Sequence, residues 1–305
     1  MASNPKLSHR IQYALTRFFA FWINALPLKV ALFCGALLGR IAWSLRIRRN
    51  VCMINIGTAL PDKTKGEIRR IGRESFANIG RFIAEFIRQG RMGEEYFQKY
   101  ITVEHNEHLE KFLACEGGVI ALGYHFGNWE YNGVCHQFLG KKTTFLVGRQ
   151  HNSLIDGYIN RLRSSLGPEL LTRDVSMRGV IRISRAGGAV CWLSDQYGGK
   201  NGLVVDFFGK PASTPRGAAA FSVKLGMPIL CGVMIREKGP YQRFSPRAFL
   251  LPRRELPRHE AEVDITERYT RVLEDVVREY PEQYWWTHKR WKRTTSIYDN
   301  PDTLR

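Results

Sequence analysis

The sequence predicts an α/β fold with a central mixed sheet flanked by helices and preceded by a helical membrane anchor. From about Gly117 onward, short apolar runs rich in β-formers alternate with helical patterns and are separated by glycines. The first fifty residues instead contain eight Lys or Arg and no Asp or Glu. At 305 residues and 44% hydrophobic, the chain can form one large domain or two small ones. We predict an anchoring segment over residues 1–50 and one α/β domain over residues 51–305.

The anchoring segment contains two uncharged runs, residues 18–28 and 30–39, which are separated by Lys29. Neither run reaches the ~18–20 residues that a simple spanning helix requires. The pattern favours two helices lying in or just under the lipid headgroups, and one broken span stays open. A cleaved signal peptide is the competing interpretation, but no small-x-small cleavage site follows the apolar runs. With an uncleaved anchor, the basic residues 46–49 would lie at the cytoplasmic membrane boundary.

Helical and strand patterns follow in order along the rest of the chain. A turn at Pro61–Asp62 precedes a helical pattern over residues 63–88, whose apolar face we expect to be core. The predicted strands cover residues 119–122, 144–147, 189–193, 203–205 and 228–235. The further predicted helices cover residues 152–166, 177–186, 217–225 and 265–279.

The net charge of +18 indicates polyanionic partners: nucleic acid, an anionic bilayer, or a phosphorylated or acidic-carrier-borne substrate. Charge alone does not choose among them. The six cysteines form no C-x-x-C pair, which is typical of thiols in a reducing compartment and predicts no zinc site or disulfide framework. The chain also lacks the motifs of serine hydrolases, dinucleotide oxidoreductases, P-loop NTPases and HExxH zinc enzymes.

The densest chemical signal is the segment Gly-Tyr-His-Phe-Gly-Asn-Trp-Glu at residues 123–130, between a predicted strand and a predicted helix. His125 can accept a proton near neutral pH, and a carboxylate on its other ring nitrogen would fix the tautomer. Glu130 is the carboxylate that we expect there, since Gly127 and Asn128 favour a turn and helix cap that would bring the two together. By spacing alone, a packed histidine and a solvated first-turn glutamate would be the better interpretation.

In this context the sequence resembles the lipid A late acyltransferase family, the lauroyl and myristoyl transferases of the lysophospholipid acyltransferase superfamily. The superfamily signature H-x-x-x-x-D/E matches His125 and Glu130, and further matches span nearly the whole chain. They are Arg48-Arg-Asn50, Asn78-Ile-Gly80, Gly148-Arg149, Asn160-Arg161-Leu-Arg163, Asp195-Gln196, Phe207-Phe-Gly209 with Pro211-Ala212 and Thr214, and Pro281-Glu-Gln283 through Trp286, His288 and Arg290. Several spaced matches in the family's order are more specific than any one of them.

The resemblance implies a glycerol-3-phosphate acyltransferase-like fold and an O-acyltransferase reaction. His125 would deprotonate an acceptor hydroxyl, Glu130 would orient His125, and the hydroxyl would attack an acyl thioester without a covalent acyl-enzyme, metal or redox cofactor. The implied donor is acyl carrier protein or acyl-CoA, and the acceptor is a phosphorylated glycolipid, above all a lipid A precursor. The implied location is the cytoplasmic face of a bacterial inner membrane.

Two alternatives to lipid A acylation stay open. The first is acylation of another lysolipid or glycolipid, such as a phosphatidylinositol mannoside, by the same pair of residues. The second is a basic membrane- or RNA-binding protein without enzymatic activity, although an apolar N-terminus has no use in a nucleic-acid binder. We therefore expect an anionic membrane surface, and no nucleic acid, among the partners.

Five further residues are candidates for substrate contacts. Arg149 resembles the superfamily arginine that contacts acceptor phosphate, and Arg161 or Arg163 matches a second functional arginine block. Asp195 follows an apolar strand and could organise these arginines, and Asn128 could face the thioester oxyanion. Each has a plain structural interpretation as a surface cation, a strand-end turn residue or a helix cap.

The C-terminal stretch at residues 285–293 interleaves three tryptophans with Lys and Arg. In a nucleic-acid binder this pattern would indicate base stacking and phosphate contacts. In a membrane enzyme it is typical of the headgroup region, where Trp prefers the interface and cations pair with phosphate. We predict the second role.

Overall fold

A mixed sheet lies at the centre of the computed structural model, which describes residues 6–172 and 176–299. The strands in chain order are β1 (Ile101–Val103), β2 (Val119–Gly123), β3 (Thr143–Val147), β4 (Glu169–Thr172), β5 (Ala189–Leu193), β6 (Leu203–Phe207), β7 (Lys210–Thr214), β8 (Ile229–Lys238) and β9 (Tyr241–Leu250). Within the described residues, seven strands form one sheet in the order β1-β9-β8-β2-β5-β3-β4. In this sheet β8 and β9 are antiparallel, and the other neighbouring strands are parallel. β6 and β7 form a separate antiparallel pair. The predicted mixed α/β sheet is confirmed.

Helices cover both faces of the sheet and form the N-terminal part of the chain. They are α1 (Leu7–Ala25), α2 (Leu28–Ser44), α3 (Arg49–Ala59), α4 (Lys65–Ile87), α5 (Glu94–Tyr100), α6 (Glu107–Ala114), α7 (Trp129–Phe138), α8 (Ser153–Ser164), α9 (Ser176–Arg185), α10 (Gly217–Leu225) and α11 (Arg258–Glu279). α4 begins at a capping box between Thr64 and Glu67.

The core lies on both sides of β2 because its side chains alternate between the two faces of the sheet. Ile120 and Leu122 belong to the cluster beneath α3, α4, α10 and α11, whereas Val119 and Ala121 belong to the cluster beneath α5, α6 and α7. All five residues of β2 are buried. The chain that leaves this strand is therefore held on a rigid support.

Several strands were missing from the sequence prediction or were predicted too short. β1 and β4 have only three and four residues, and β7 and β9 contain Pro211 and Pro246 among polar side chains. β9 pairs with β8 across the loop at Gly239, whose positive φ of 56° suits a tight turn. These strands depend on pairing with neighbours more than on an apolar run of their own.

α2 packs against α4 at backbone contact. A Cβ atom added to Gly35 would lie 2.3 Å from the carbonyl oxygen of Gly80, and one added to Gly80 would lie 1.9 Å from that of Gly35. A side chain at either position would push the two helices apart. The second apolar run of the predicted anchor is thus also packed against the α/β domain.

The predicted N-terminal helices are present as α1 and α2, and their contact with a membrane stays a prediction. Among the described residues, no single helix is both long and apolar enough to cross a bilayer, although α2 and α3, bent by 92°, have the required length and composition together. The outer faces of α1 and α2 expose large apolar side chains, including Phe18, Phe21, Trp22, Phe33 and Leu45. An uninterrupted spanning helix in this part of the chain is therefore not observed.

Candidate active site

His125 and Asp195 meet at the carboxyl edge of the sheet. β2 and β5 are parallel neighbours with Gly123 opposite Leu193, and both residues lie two positions beyond the strand ends. The Nδ1 atom of His125 lies 2.8 Å from Oδ1 of Asp195, and the His125 backbone N–H donates to Oδ2 at 3.0 Å. The register of the two strands thus places a carboxylate beside the imidazole.

Asp195 is buried but favours its ionised form. Burial acts to raise the pKa of this carboxyl, but the charge of His125 and its side-chain and backbone hydrogen bonds outweigh burial and lower the pKa below its ordinary value. An ionised carboxylate accepts the Nδ1–H hydrogen, so the Nε2 lone pair is free to take a proton. This tautomer is the one that general-base chemistry requires.

The prediction that Glu130 orients His125 is wrong in this structure, because Glu130 faces Arg163. The Arg163 guanidinium donates from Nε to both carboxylate oxygens, at 3.1 and 3.0 Å, and from Nη2 to one of them at 2.6 Å. Both side chains are largely buried. Glu130 sits in the first turn of α7 and Arg163 near the end of α8, so the pair joins the ends of two helices.

Asn128 caps α7, as predicted, but its amide points away from the role of an oxyanion donor. Its Oδ1 accepts the backbone N–H of Tyr131 at 3.1 Å, and its Nδ2 donates to Glu85 at 2.9 Å. Just before it, Gly127 has a φ of 54°, and a Cβ there would lie 1.8 Å from the carbonyl oxygen of Met234. Only glycine fits this turn.

Sequence reasoning missed the polar network beneath this turn. Buried Glu85 from α4 accepts from Arg236 at 2.7 and 2.6 Å, from Gln242 at 3.1 Å, and from Asn128. Gln283 exchanges hydrogen bonds with the backbone of Arg236, and its carbonyl oxygen accepts the N–H of Gly127. The charged residue inside the apolar end of α4 was the available signal.

Aromatic side chains surround the open side of His125. The rings of Trp129 and Trp285 lie 5.2 and 6.0 Å from the imidazole between centroids, and the backbone N–H of Trp285 donates to the His125 carbonyl oxygen. Trp285 also lines an apolar cavity of about 300 Å³ between α2 and α4, together with Leu38, Ile47, Phe76, Ile79 and Ile83. A hydrocarbon chain fits such a lining better than a polar substrate does.

The comparison with known proteins identifies the family. A family model described as bacterial lipid A biosynthesis acyltransferase matches residues 1–293. The chain belongs to this family.

Individual members of the family share modest sequence identity with this chain. The chain is 26% identical over 280 residues to the lipid A biosynthesis palmitoleoyltransferase of Escherichia coli K12, covering 89% of this chain and 87% of that one. It is 25% identical over 306 residues to the lauroyltransferase of the same strain, covering 96% and 97%. A phosphatidylinositol mannoside acyltransferase of Mycobacterium tuberculosis CDC 1551 / Oshkosh is 28% identical over 163 residues, 51% of each chain. The predicted family is confirmed.

The other two predicted arginines, Arg149 and Arg161, are exposed in this family member. Arg149 is exposed beyond the end of β3 and has contacts with other described residues. Arg161 is exposed on α8, and its Nη2 lies 3.5 Å from the hydroxyl oxygen of Tyr13 in α1. Arg163 is the arginine of this block that faces the HxxxxE segment.

Three residues of the tryptophan-rich C-terminal stretch, Trp286, Arg290 and Trp291, lie in the core, so the predicted headgroup role is wrong for them. Trp286 and Trp291 are fully buried. Arg290 is also buried, where it donates to the carbonyl oxygen of Ser213 and the hydroxyl of Thr214 at 2.7 and 2.6 Å. Trp285 is the tryptophan of this stretch that lines the cavity beside His125.

Proposed function

We propose that the chain transfers a fatty acyl group from a thioester carrier to a hydroxyl of a phosphorylated glycolipid, a lipid A precursor, with His125 as general base. The observation that carries the proposal is the His125–Asp195 pair, with Nδ1 to Oδ1 at 2.8 Å, beside an apolar cavity. Family membership and the relatives named as palmitoleoyl and lauroyl transferases support the substrate class.

The mechanism follows from the tautomer that Asp195 holds. Nε2 of His125 takes the proton of the acceptor hydroxyl while the hydroxyl oxygen forms a bond to the thioester carbonyl carbon. The tetrahedral intermediate then collapses, the carbon–sulfur bond breaks, and the leaving thiolate recovers the proton from the imidazolium. Asp195 stabilises that imidazolium between the two steps by the charge-assisted Nδ1 hydrogen bond.

In this reaction Glu130 holds the Arg163 cation in position. Since Glu130 occupies Nε and Nη2 of Arg163, the guanidinium is fixed in a fork geometry. Its Nη1 has no hydrogen-bond partner among the described residues and can meet a polar group of the substrate. The pair lines a small cavity of about 60 Å³ with Trp129 at the ends of β2, β3 and β5. A buried cation there favours the negative charge that develops on the thioester oxygen.

The N-terminal helices support a location of this chemistry at a membrane surface. The exposed apolar side chains of α1 and α2 and the basic residues 46–49 fit contact with an anionic bilayer, and the cytoplasmic face of a bacterial inner membrane is where acyl thioesters are available. The net charge of +18 fits either an acidic acyl carrier protein or acyl-CoA as the donor.

The test is acyl transfer by the purified protein, followed by mass spectrometry of the lipid product. The acceptors are a lipid A precursor and a phosphatidylinositol mannoside, because a relative with the second activity matches half of the chain. The donors are acyl carrier protein and CoA thioesters of one fatty acid. We expect one acyl mass to be added to the lipid A precursor. Addition to the mannoside alone would assign the second activity, and addition to neither would refute the proposal.

A further inference from the structure

Arg48 has an unusual backbone at the junction between α2 and α3. Its φ of 52° and ψ of 16° lie in the left-handed region, and Arg46, two residues earlier, has a φ of 59°. A residue with a Cβ adopts this conformation only at a steric cost. The turn directs the chain from the exposed end of α2 into the buried helix α3, and it leaves both arginines exposed. Such strain at an exposed cation raises the question of a function.

Arg48 lies at the apolar cavity beside the active site. Among the described residues that line this cavity of about 300 Å³, Arg48 is the one with a charged side chain. The lining also includes Phe19, Leu38 and Ile83, whose side chains are exposed on the apolar outer surface of the helices. The cavity therefore opens towards the proposed membrane surface, with a cation at its lining.

The same cavity is linked to the catalytic pair through the segment 285–288. Trp285 lines the cavity and packs edge-on against the His125 ring, and Thr287 also lines the cavity. His288 follows and accepts the backbone N–H of Tyr197 at 3.0 Å. Burial lowers the pKa of His288 to about 4; the charge of Asp195 opposes this shift, and the charges of His125, Arg290 and Arg48 add to it. The charge of Arg48 thus acts on His288, on which the charges of His125 and Asp195 also act.

We propose that Arg48 is a specificity-determining residue that binds the phosphate of the lipid acceptor, while a hydrocarbon part of that lipid enters the apolar cavity. The inference rests on the proposed function and extends it to the recognition of the acceptor. The acceptor is the substrate that resides in the bilayer, and the cavity opens on the apolar face of the protein, whereas a carrier-borne donor arrives from water. A guanidinium is suited to this role because its planar fork matches phosphate geometry.

Arg46 provides a matched control. It is an arginine of the same segment, it is exposed, and it has the same left-handed backbone, but it is not among the residues that line the cavity. Asparagine tolerates the left-handed region, so Arg48→Asn and Arg46→Asn each remove one charge at similar backbone cost. A general attraction to anionic lipid predicts equal effects of the two substitutions.

The experiment measures initial rates of acyl transfer against the concentration of a phosphorylated acceptor and of its dephosphorylated analogue. For Arg48→Asn we expect the apparent KM for the phosphorylated acceptor to rise about ten- to a hundredfold, the loss of one charge-assisted hydrogen bond, with little change for the analogue. Arg46→Asn should change the KM for both acceptors alike and by less than about twofold, because a charge near the bilayer acts on either acceptor equally. Arg48→Lys should recover part of the loss, since it keeps the charge without the fork.

Two outcomes would overturn the inference: equal effects of Arg46→Asn and Arg48→Asn, or a rise in the KM for the donor thioester in place of the acceptor. A binding measurement separates this inference from the proposed function. Dodecyl phosphate and dodecanol are titrated into each variant in nanodiscs of zwitterionic lipid. Arg48→Asn alone should weaken dodecyl phosphate binding by about tenfold or more, with dodecanol unaffected. That result in a protein without acyl transfer would refute the function and leave the phosphate site standing.

Discussion

Asp195 and Glu130 differ in what their carboxylates contact. Asp195 accepts two hydrogen bonds from His125, whereas Glu130 accepts three from Arg163. The first carboxylate can therefore act on the protonation of the imidazole, and the second can act through the position of a cation. In both cases the charge is largely buried, so its loss leaves a partner unsatisfied.

The pH dependence of activity should separate these two roles. We predict that Asp195→Asn lowers kcat by about 10²–10⁴ at neutral pH and moves the acid limb of the pH–rate profile to lower pH, because the carboxylate that favours the imidazolium is removed. Glu130→Gln should lower the rate without moving that limb. The measurement is kcat from pH 5 to pH 9 for both variants. If Glu130→Gln moved the acid limb and Asp195→Asn did not, Glu130 and not Asp195 would be the carboxylate that acts on His125.

The sequence identified His125 from chemistry and context, but it paired the histidine with the wrong acid. Glu130 is five residues away and was the natural candidate, while Asp195 is seventy residues away. The available signal was that both His125 and Asp195 stand two positions after apolar strands. Using it requires knowing that β2 and β5 are neighbours in register, which is a property of the sheet and not of either segment.

At the scale of elements, α4 connects the N-terminal helices to the active-site turn. One of its faces packs against α2, and its Glu85 forms the buried ion pair with Arg236 and accepts from Asn128. Since Asn128 caps α7, whose first turn holds Glu130, the network fixes the helix start beside His125. Glu85 is a positioning residue for this site.

Two ion pairs of α4 make a matched comparison. We predict that Glu85→Gln lowers the free energy of unfolding by about 3–5 kcal/mol, because it leaves buried Arg236 without its countercharge. Glu74→Gln removes the partly buried surface pair with Arg40, 3.1 Å apart, and should cost at most about 1 kcal/mol. Chemical denaturation of both variants in one detergent gives the two values. Equal stability losses would contradict the role of Glu85 as the buried anchor.

The predictability of the elements followed their apolar content. β2 and β5 are continuous apolar runs and were found with nearly their observed limits, as was α10. β9 and β7 were missed because their sequences are polar and contain proline, so only the partner strand shows that they are extended. The start of α11 was placed too late, since its first turns are charged rather than apolar.

For the whole molecule, the exposed apolar side chains on α1 and α2 form the surface that we expect to contact a membrane. Phe18 and Phe21 are each about two-thirds exposed, at 64% and 66%, and both rings contact Trp22. Deleting the whole segment would be a poor test, since α2 packs against α4 at backbone contact. Substitutions on the outer face of α1 leave that packing intact.

We predict that the double substitution Phe18→Ser and Phe21→Ser weakens binding to vesicles with anionic lipid by at least about tenfold, since burying each phenyl ring is worth about 1.5–3 kcal/mol. The control is Val204→Ser with Leu251→Ser, which removes two exposed apolar side chains outside α1 and α2. Co-sedimentation with vesicles gives both affinities. An equal loss for the control pair, or none for the α1 pair, would show that α1 does not make the membrane contact.

Composition narrowed the partners of the whole molecule but did not choose among them. A charge of +18 fits nucleic acid, bilayer and carrier protein alike. The family motifs, and not the charge, favour a lipid acceptor and a thioester carrier over nucleic acid. The tryptophan-rich C-terminus shows the same limit, because its alternation of aromatics and cations fits an interface, yet Trp286 and Trp291 fill the core. Burial is set by tertiary packing, which local composition does not contain.

The most direct test of the proposed acyl transfer is the initial rate of the purified His125→Ala variant with the acyl thioester and the phosphorylated acceptor. His105→Ala, a change at an exposed histidine, is the control. If His125 is the general base, His125→Ala should lose about 10²–10⁴ in rate at unchanged membrane binding and thermal stability, and His105→Ala should keep the full rate. Near-normal turnover by folded His125→Ala would contradict the mechanism.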